Sequence, residues 1–203
     1  MHIKELSPDP FKQFKQWLEQ ALASQESDSH AFSLATASAK AIPSVRTLLY
    51  KGMTQYEGHP VFTFYSNTCS QKGEDMAANP KAEMLFYWEP IYRQVRIAGD
   101  IIFLSREQTE QYFASRSFTS NLSALASCQS QLIESRELLE RRVHDLKKKY
   151  VHDKELPCPS YWQGYGLVPR RFEFWLGREH RLHDRFCYLK DANGHWVITR
   201  LAP

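Results

Sequence analysis

"RRFEFWLGREHRLHDRFCYLK", residues 170–190, carries the reading from which the fold follows. An apolar run through Phe172, Phe174 and Trp175 has the composition of a strand and is broken by Gly177. The next eight residues, 178–185, hold three arginines, two histidines and two acids, and they lead into a second strand-like run, "DRFCYLK". A third, "HWVITRL", follows across Asp191-Ala192-Asn193-Gly194, a sequence suited to a hairpin turn. Arg181, His183 and Arg185 alternate, so as part of a strand they would share one face. Two readings of the charged run stand side by side: an edge strand whose charges discourage aggregation, or a site built for an anion.

Upstream, short β-rich runs separated by turn residues recur: "AFSLATA", "IPSVRTLLY", "HPVFTFYS", "AEMLFYW" and "RQVRIAGDIIFL". Helices interrupt them. Near the start, Asp9 is an N-cap candidate, Pro10 takes the first helical position, and Phe11, Phe14, Trp17, Leu18, Ala21 and Leu22 fall at helical spacing, predicting a helix over about 10–24. A second helix opens on Ser70 and closes at Asn79-Pro80. Ser105 with Gln108 forms a capping-box pattern for a third, and a charged helix is expected over 132–150, with an apolar stripe of Leu132, Leu138, Leu139, Val143, Leu146 and Tyr150. Antiparallel-looking strands with interspersed helices predict an α+β fold, a β-barrel decorated by helices, in one domain spanning 1–203.

Composition narrows the partners. The 26 basic and 23 acidic residues give a formal net charge of +3, too small to argue for a polyanion partner, so any anion preference is local. Lys147-Lys148-Lys149 ends a helix, where cations favour the dipole, and calls for no nucleic acid. Cys69, Cys128, Cys158 and Cys187 form no C-x-x-C pair and read as reduced thiols, and no metal site is expected. No run approaches a membrane span, and Met1–Glu5 lack a basic start followed by an apolar core; a soluble cytoplasmic protein is expected. G-x-G-x-x-G and G-x-x-x-x-G-K-[ST] are both absent, so a nucleotide cofactor must be held in another way.

Four places offer fixed positive charge: Arg46 with Lys51, taken to lie on one strand; Ser70 and Lys72 at a helix start; Arg116 with Ser120; and the Arg181/His183/Arg185 group. Arginine's planar fork suits phosphate, and a helix N-terminus adds unpaired N–H groups. Taken singly, each reads first as a solvent-facing charge or a cap.

At these residues the chain resembles the pyridoxamine 5'-phosphate oxidase family. The resemblance rests on "WLGREHRLHDRFCYLK" and the ending "RLAP", and extends through "DPFKQFKQWLEQA", "FYSNTCSQK", "NPKAEMLFYW", "RQVRIAG", "YFASR", "QSQLI" and "PSYWQGYGLVP" in order. It implies a split β-barrel homodimer with FMN in a cleft between subunits, and oxidation of pyridoxamine or pyridoxine 5'-phosphate to pyridoxal 5'-phosphate. Oxygen is the acceptor, giving hydrogen peroxide, and the amine substrate also releases ammonia. By position, the implied FMN contacts are Arg46, Lys51, Tyr65, Ser66, Lys72, Gln94, Gln129, Ser130, Trp175 and Arg185. The implied substrate contacts are Lys51, Tyr112, Arg116, Ser120, Arg181 and His183, the last two being the catalytic candidates that orient substrate over the flavin.

The chain also departs from the family pattern. Gln71 stands where an arginine is usual, Ser117-Phe118 replace Pro-Arg, Ser123 replaces a glycine and Leu125 a tryptophan. Two alternatives follow: a divergent relative such as a phenazine-pathway flavin oxidase, or a non-catalytic FMN or pyridoxal-phosphate binding protein.

Overall fold

Phe14 organises the core. Its ring meets Phe62 at 4.9 Å, Phe86 at 5.0 Å and Tyr50 at 5.5 Å between centroids. It is wholly buried and is delivered by helix α1, Pro10–Ala23, whose Phe14, Trp17, Leu18 and Ala21 turn inward. The sequence sets where that helix begins: Asp9 Oδ1 accepts a hydrogen bond from Phe11 N at 2.9 Å, and Pro10 sits where no N–H is needed.

The computed structural model describes residues 2–24, 28–152 and 155–203. Its strands are β1 Ala31–Ala37, β2 Pro43–Leu49, β3 Met53–Tyr56, β4 His59–Asn67, β5 Lys81–Trp88, β6 Arg93–Phe103, β7 Trp162–Leu176, β8 Asp184–Lys190 and β9 Trp196–Leu201. The remaining helices are α2 Gln71–Ala78, α3 Arg106–Ser115, α4 Phe118–Ala126 and α5 Arg136–Lys149. All strand pairs are antiparallel, in the order β2-β1-β5-β6-β7-β4-β3, with β8 on β7 and β9 on β8. The expected α+β split barrel with peripheral helices is what the chain forms.

β7 is the spine. Its first part, 162–167, pairs with β4, residues 165–176 pair with β6, and 171–176 also pair with β8. One strand thus feeds three neighbours and divides the barrel. A smaller apolar cluster of Phe113, Leu122 and Leu156 ties α3 and α4 to the segment before β7.

The structure corrects several expectations. Arg181, His183 and Arg185 do not share a strand face, because Glu179–Arg181 form a 3-10 turn and β8 begins only at Asp184. His180 and Arg181 are left-handed, at φ 55° and 61°. The turn is closed by Arg178, whose N–H donates to His183 Nδ1 at 3.1 Å and whose Nε donates to Asp184 at 2.9 Å. Lys51 lies past the end of β2, in the link to β3. The charged helix starts at Arg136 after the cap Ser135, which leaves Leu132 outside it and fully exposed. β3, α4 and the first part of β7 were not expected.

Truncating Phe14 to alanine removes the ring on which α1 and four aromatic neighbours close. It should destabilise the protein by about 3–5 kcal/mol, measured by denaturant unfolding.

Candidate functional site

Three strands, β2, β4 and β7, and the facing ends of α3 and α4 converge on a cleft of about 660 Å³, lined by Lys51, Tyr65, Ser66, Tyr112, Arg116, Ser120, Gln129 and Trp162 among others. Tyr65 and Ser66 come from β4, and Tyr112 from α3. The Tyr65 and Tyr112 rings stack, with centroids 3.7 Å apart and planes at 14°. Lys51 Nζ lies 5.9 Å from the Tyr112 ring. Burial pushes the Tyr65 phenol up, and Tyr112 adds to it, so the Tyr65 hydroxyl stays protonated at physiological pH. Close packing behind Tyr65 requires Gly164, where a Cβ would stand 2.8 Å from Tyr65 Cε1.

Behind one wall lies a buried positive centre. Ser70 caps α2 and takes a hydrogen bond from Lys72 Nζ at 2.9 Å; the same ammonium donates to Gln129 Oε1 at 2.8 Å. The turn that permits this needs Gly73, since any Cβ there would fall against the Thr68 carbonyl. Lys72 is 5 % exposed and bonds no carboxylate among the described residues. Burial, with the Arg46 charge second, lowers its pKa to about 8. Arg46 is itself fixed: it donates to Leu34 O at 3.1 Å, Thr36 Oγ1 at 2.7 Å and Ser44 Oγ at 2.5 Å, with Asp75 at 3.8 Å. Two cations held beside a helix N-terminus, with Asp75 offsetting only Arg46, suit a phosphate dianion.

Arg116, in the lining of the cleft, is oriented from three sides. Its guanidinium lies 4.4 Å from the Trp162 ring, donates to Asn121 Oδ1 at 3.0 Å and to Ser120 O at 3.2 Å. Burial lowers its pKa from an already very high value, so it remains charged. Ser117 caps α4, and Ser117 Oγ donates to Ser120 Oγ at 2.7 Å. Trp162 Nε1 is buried without a hydrogen-bond partner, a donor left over in the wall of the cleft. Trp162 and Asn121 were missed by sequence reasoning, because neither carries a motif of its own.

Not all the expected residues meet here. Ser130, left-handed at φ 70°, sits beside Gln129 and is exposed. Gln94, Trp175, Arg181, His183 and Arg185 form a second group at the other end of the spine. Gln94 is paired with Trp175, and Trp175 with Arg185. The Trp175 and His183 rings lie 4.7 Å apart. His183 also lines a separate hollow of about 380 Å³ beside Arg200 and Pro203. Tyr65 is paired with Gly164, and Trp175 lies eleven residues farther along β7. At about 3.3 Å per residue the two groups are on the order of 30 Å apart along the strand. Glu173, buried between them and bonded to Arg171 and Arg185, was also missed; the signal available was a carboxylate inside the apolar "FEFW".

Among the described residues no group of three or more His, Cys, Asp or Glu is placed to hold a metal, and no helix is long and apolar enough to cross a membrane.

Comparison with known proteins bears on the same residues. The family described as pyridoxamine 5'-phosphate oxidase matches residues 18–150, and the pyridoxine 5'-phosphate oxidase C-terminal dimerisation region matches 162–203. Relatives named pyridoxine/pyridoxamine 5'-phosphate oxidase include one from Coxiella burnetii, 44% identical with 98% of each chain covered. Another, from Bordetella petrii, is 46% identical over 96% of this chain and 89% of its own. Among solved structures, PhzG from Burkholderia lata, in complex with tetrahydrophenazine-1-carboxylic acid, superposes with a TM-score of 0.87 at 28% identity, covering 97% of this chain and 94% of its own. A pyridoxamine 5'-phosphate oxidase-related, FMN binding protein from Nostoc punctiforme shares the fold, with a TM-score of 0.73 at 18% identity over 94% and 97% of the two chains.

Lys72 supplies a pH test. With its pKa near 8, the ammonium is charged below that pH and neutral above it; a phosphate dianion binds the charged form and raises the pKa. A phosphate dianion such as that of FMN, if bound here at pH 9, should therefore take up close to one proton, and at pH 6.5 none. Calorimetry in buffers of different ionisation enthalpy reads the difference. In Lys72→Met the uptake should vanish.

Proposed function

The chain belongs to the pyridoxamine 5'-phosphate oxidase family, and from that premise we propose that it oxidises pyridoxine or pyridoxamine 5'-phosphate to pyridoxal 5'-phosphate. Its flavin is FMN, held between two copies of the chain, with oxygen as acceptor. The observation that carries this reading is the convergence of two phosphate-suited sites: Arg116, Ser120 and Lys51 line the cleft, and Lys72, with the Arg46 charge near it, lies behind Gln129, which lines the same cleft.

The fit to FMN rests on charge and shape. Lys72 is a buried ammonium without a carboxylate partner among the described residues, and an ion in that state is costly unless something anionic meets it. Lys72, Arg46 and the start of α2 would hold the flavin phosphate, while Tyr65, Ser66, Gln129 and Ser130 would border the flavin. When bound, FMN supplies the two-electron acceptor and its reoxidation by oxygen. The side chains bind and orient. Arg116, fixed by Trp162 and Asn121, grips the substrate phosphate with Lys51, Tyr112 and Ser120, converting binding into alignment of the reacting carbon. Arg181 and His183 orient and polarise the substrate from the other face.

That last group explains the two-copy arrangement. Within one chain, Arg181, His183, Trp175, Gln94 and Arg185 lie far along β7 from the cleft, so a partner must bring them to it, consistent with the C-terminal dimerisation region matched at 162–203. Arg181 has a left-handed backbone at φ 61°, a conformation that costs an arginine about 1–2 kcal/mol. A role in holding substrate would account for keeping it. The phenazine-type alternative is disfavoured by Lys51, Tyr112, Arg116 and Ser120, a cluster that an unphosphorylated ring does not call for.

Two outcomes are expected. In an anaerobic titration of the FMN-loaded protein, pyridoxine or pyridoxamine 5'-phosphate should bleach the oxidised flavin absorbance and air should restore it; an unchanged spectrum with FMN bound would refute the oxidase reading. Gln71 is exposed in the first turn of α2, where an arginine could add a charged hydrogen bond to the flavin phosphate. Gln71→Arg should then tighten FMN about tenfold or more, the scale of one charge-assisted hydrogen bond, read by quenching of flavin fluorescence.

A further inference from the structure

We infer that Glu173 is the positioning residue of the cofactor site, setting the direction in which Arg185 presents its free N–H groups. The inference rests on the reading that Gln94, Trp175 and Arg185 border FMN.

Glu173 stands in the middle of β7, between Phe172 and Phe174, which are wholly buried in the core. By alternation Arg171, Glu173 and Trp175 share the other face of the strand. Across the ladder Glu173 is paired with Arg96 on β6 and Cys187 on β8, and Trp175 with Gln94 and Arg185. All three proposed cofactor contacts of this second group therefore lie one ladder step from Glu173, which is 2 % exposed.

Both carboxylate oxygens are occupied. Oε1 accepts Arg185 Nε at 2.9 Å and Arg185 NH2 at 2.7 Å; Oε2 accepts Arg171 NH2 at 2.8 Å and has Arg96 NH1 at 3.6 Å. Arg96 in turn holds Glu83 through Nε at 2.7 Å and NH2 at 3.1 Å. Three guanidinium groups thus share two carboxylates, and the patch retains a positive charge. Arg185 NH1 donates to Ala202 O at 3.0 Å. A guanidinium has five N–H donors, and these three bonds leave two. Glu173 takes the Nε side and Ala202 takes one NH1 hydrogen, which leaves one N–H on each terminal nitrogen for a ligand. Without the carboxylate, three like charges would repel one another across the ladder and Arg185 would lose its orientation.

The test compares Glu173→Gln, Arg185→Ala and the double variant in the full-length protein. FMN dissociation constants are read by flavin fluorescence, beside thermal melting of the apoprotein. Arg185→Ala and Glu173→Gln should each weaken FMN about tenfold, the scale of one charged hydrogen bond, and the double variant should be no weaker than the weaker single one. Losses that multiply in the double variant would mean that Glu173 acts only through general stability, and the inference fails. An unchanged dissociation constant in Glu173→Gln alone overturns the positioning role while leaving Arg185 as a contact. An unchanged constant in Arg185→Ala overturns the underlying cofactor reading, and the inference with it. If Glu173→Gln does not fold, Glu173→Asp replaces it: the retained charge with shortened reach should weaken FMN measurably, and wild-type affinity would count against the inference.

Discussion

The backbone of β7 has to satisfy its N–H and C=O groups against three different strands along fifteen residues, β4 at one end, β8 at the other and β6 through most of its length. Buried backbone groups left unpaired are costly, so this ladder fixes where everything attached to those strands can be. Tyr65 and Ser66 ride on β4, Gln94 on β6 and Arg185 on β8. The same constraint separates them into two groups at opposite ends of one strand. A two-fold arrangement of chains would reunite such groups, each copy lending to its partner what its own cleft would lack.

Electrostatics follows that division. Behind the cleft, Lys72 and Arg46 are stiffened by neutral partners, the Ser70, Thr36 and Ser44 hydroxyls, the Gln129 amide and the Leu34 carbonyl, with Asp75 offsetting only Arg46. Their positive potential is therefore preserved for a ligand. At the far group the solution differs, since three arginines crowd one sheet face and a buried glutamate must hold them apart. Neutral donors and acceptors preserve charge; carboxylates orient it.

Sequence patterning made most of the fold legible, for identifiable reasons. "AEMLFYW" and "RQVRIAG" alternate as half-buried strands and are buried in that alternation. The caps Asp9, Ser70 and Ser105 stand where they were expected. The start of β7 was hidden because Gly164, Gly166 and Pro169 punctuate it, although here glycine admits the Tyr65 ring. α4 was hidden because "SFTSNLSALAS" has the composition of a loop, yet Ser117 caps it and Leu122 and Ala126 bury. Alternation of Arg181, His183 and Arg185 misled, since period two has meaning only inside a strand and β8 begins at Asp184. Lys51, Lys72, Arg116 and Ser120 were legible as fixed positive charge with a capping hydroxyl, whereas Tyr65, Ser66, Tyr112 and Gln129 came from the family resemblance; the long-range contacts, Trp162 on Arg116 and Gln129 on Lys72, have no local signature.

The central claim is that one working site needs residues from two chains, and subunit complementation tests it most directly. Two inactive variants, Arg116→Gln and Arg181→Gln, carry their lesions in different groups of the same chain. A purified hybrid dimer of the two should contain one site with both arginines intact. It should recover about half the wild-type turnover per dimer, as expected for one restored site of two in a two-fold assembly. A hybrid no more active than either parent would contradict the shared site.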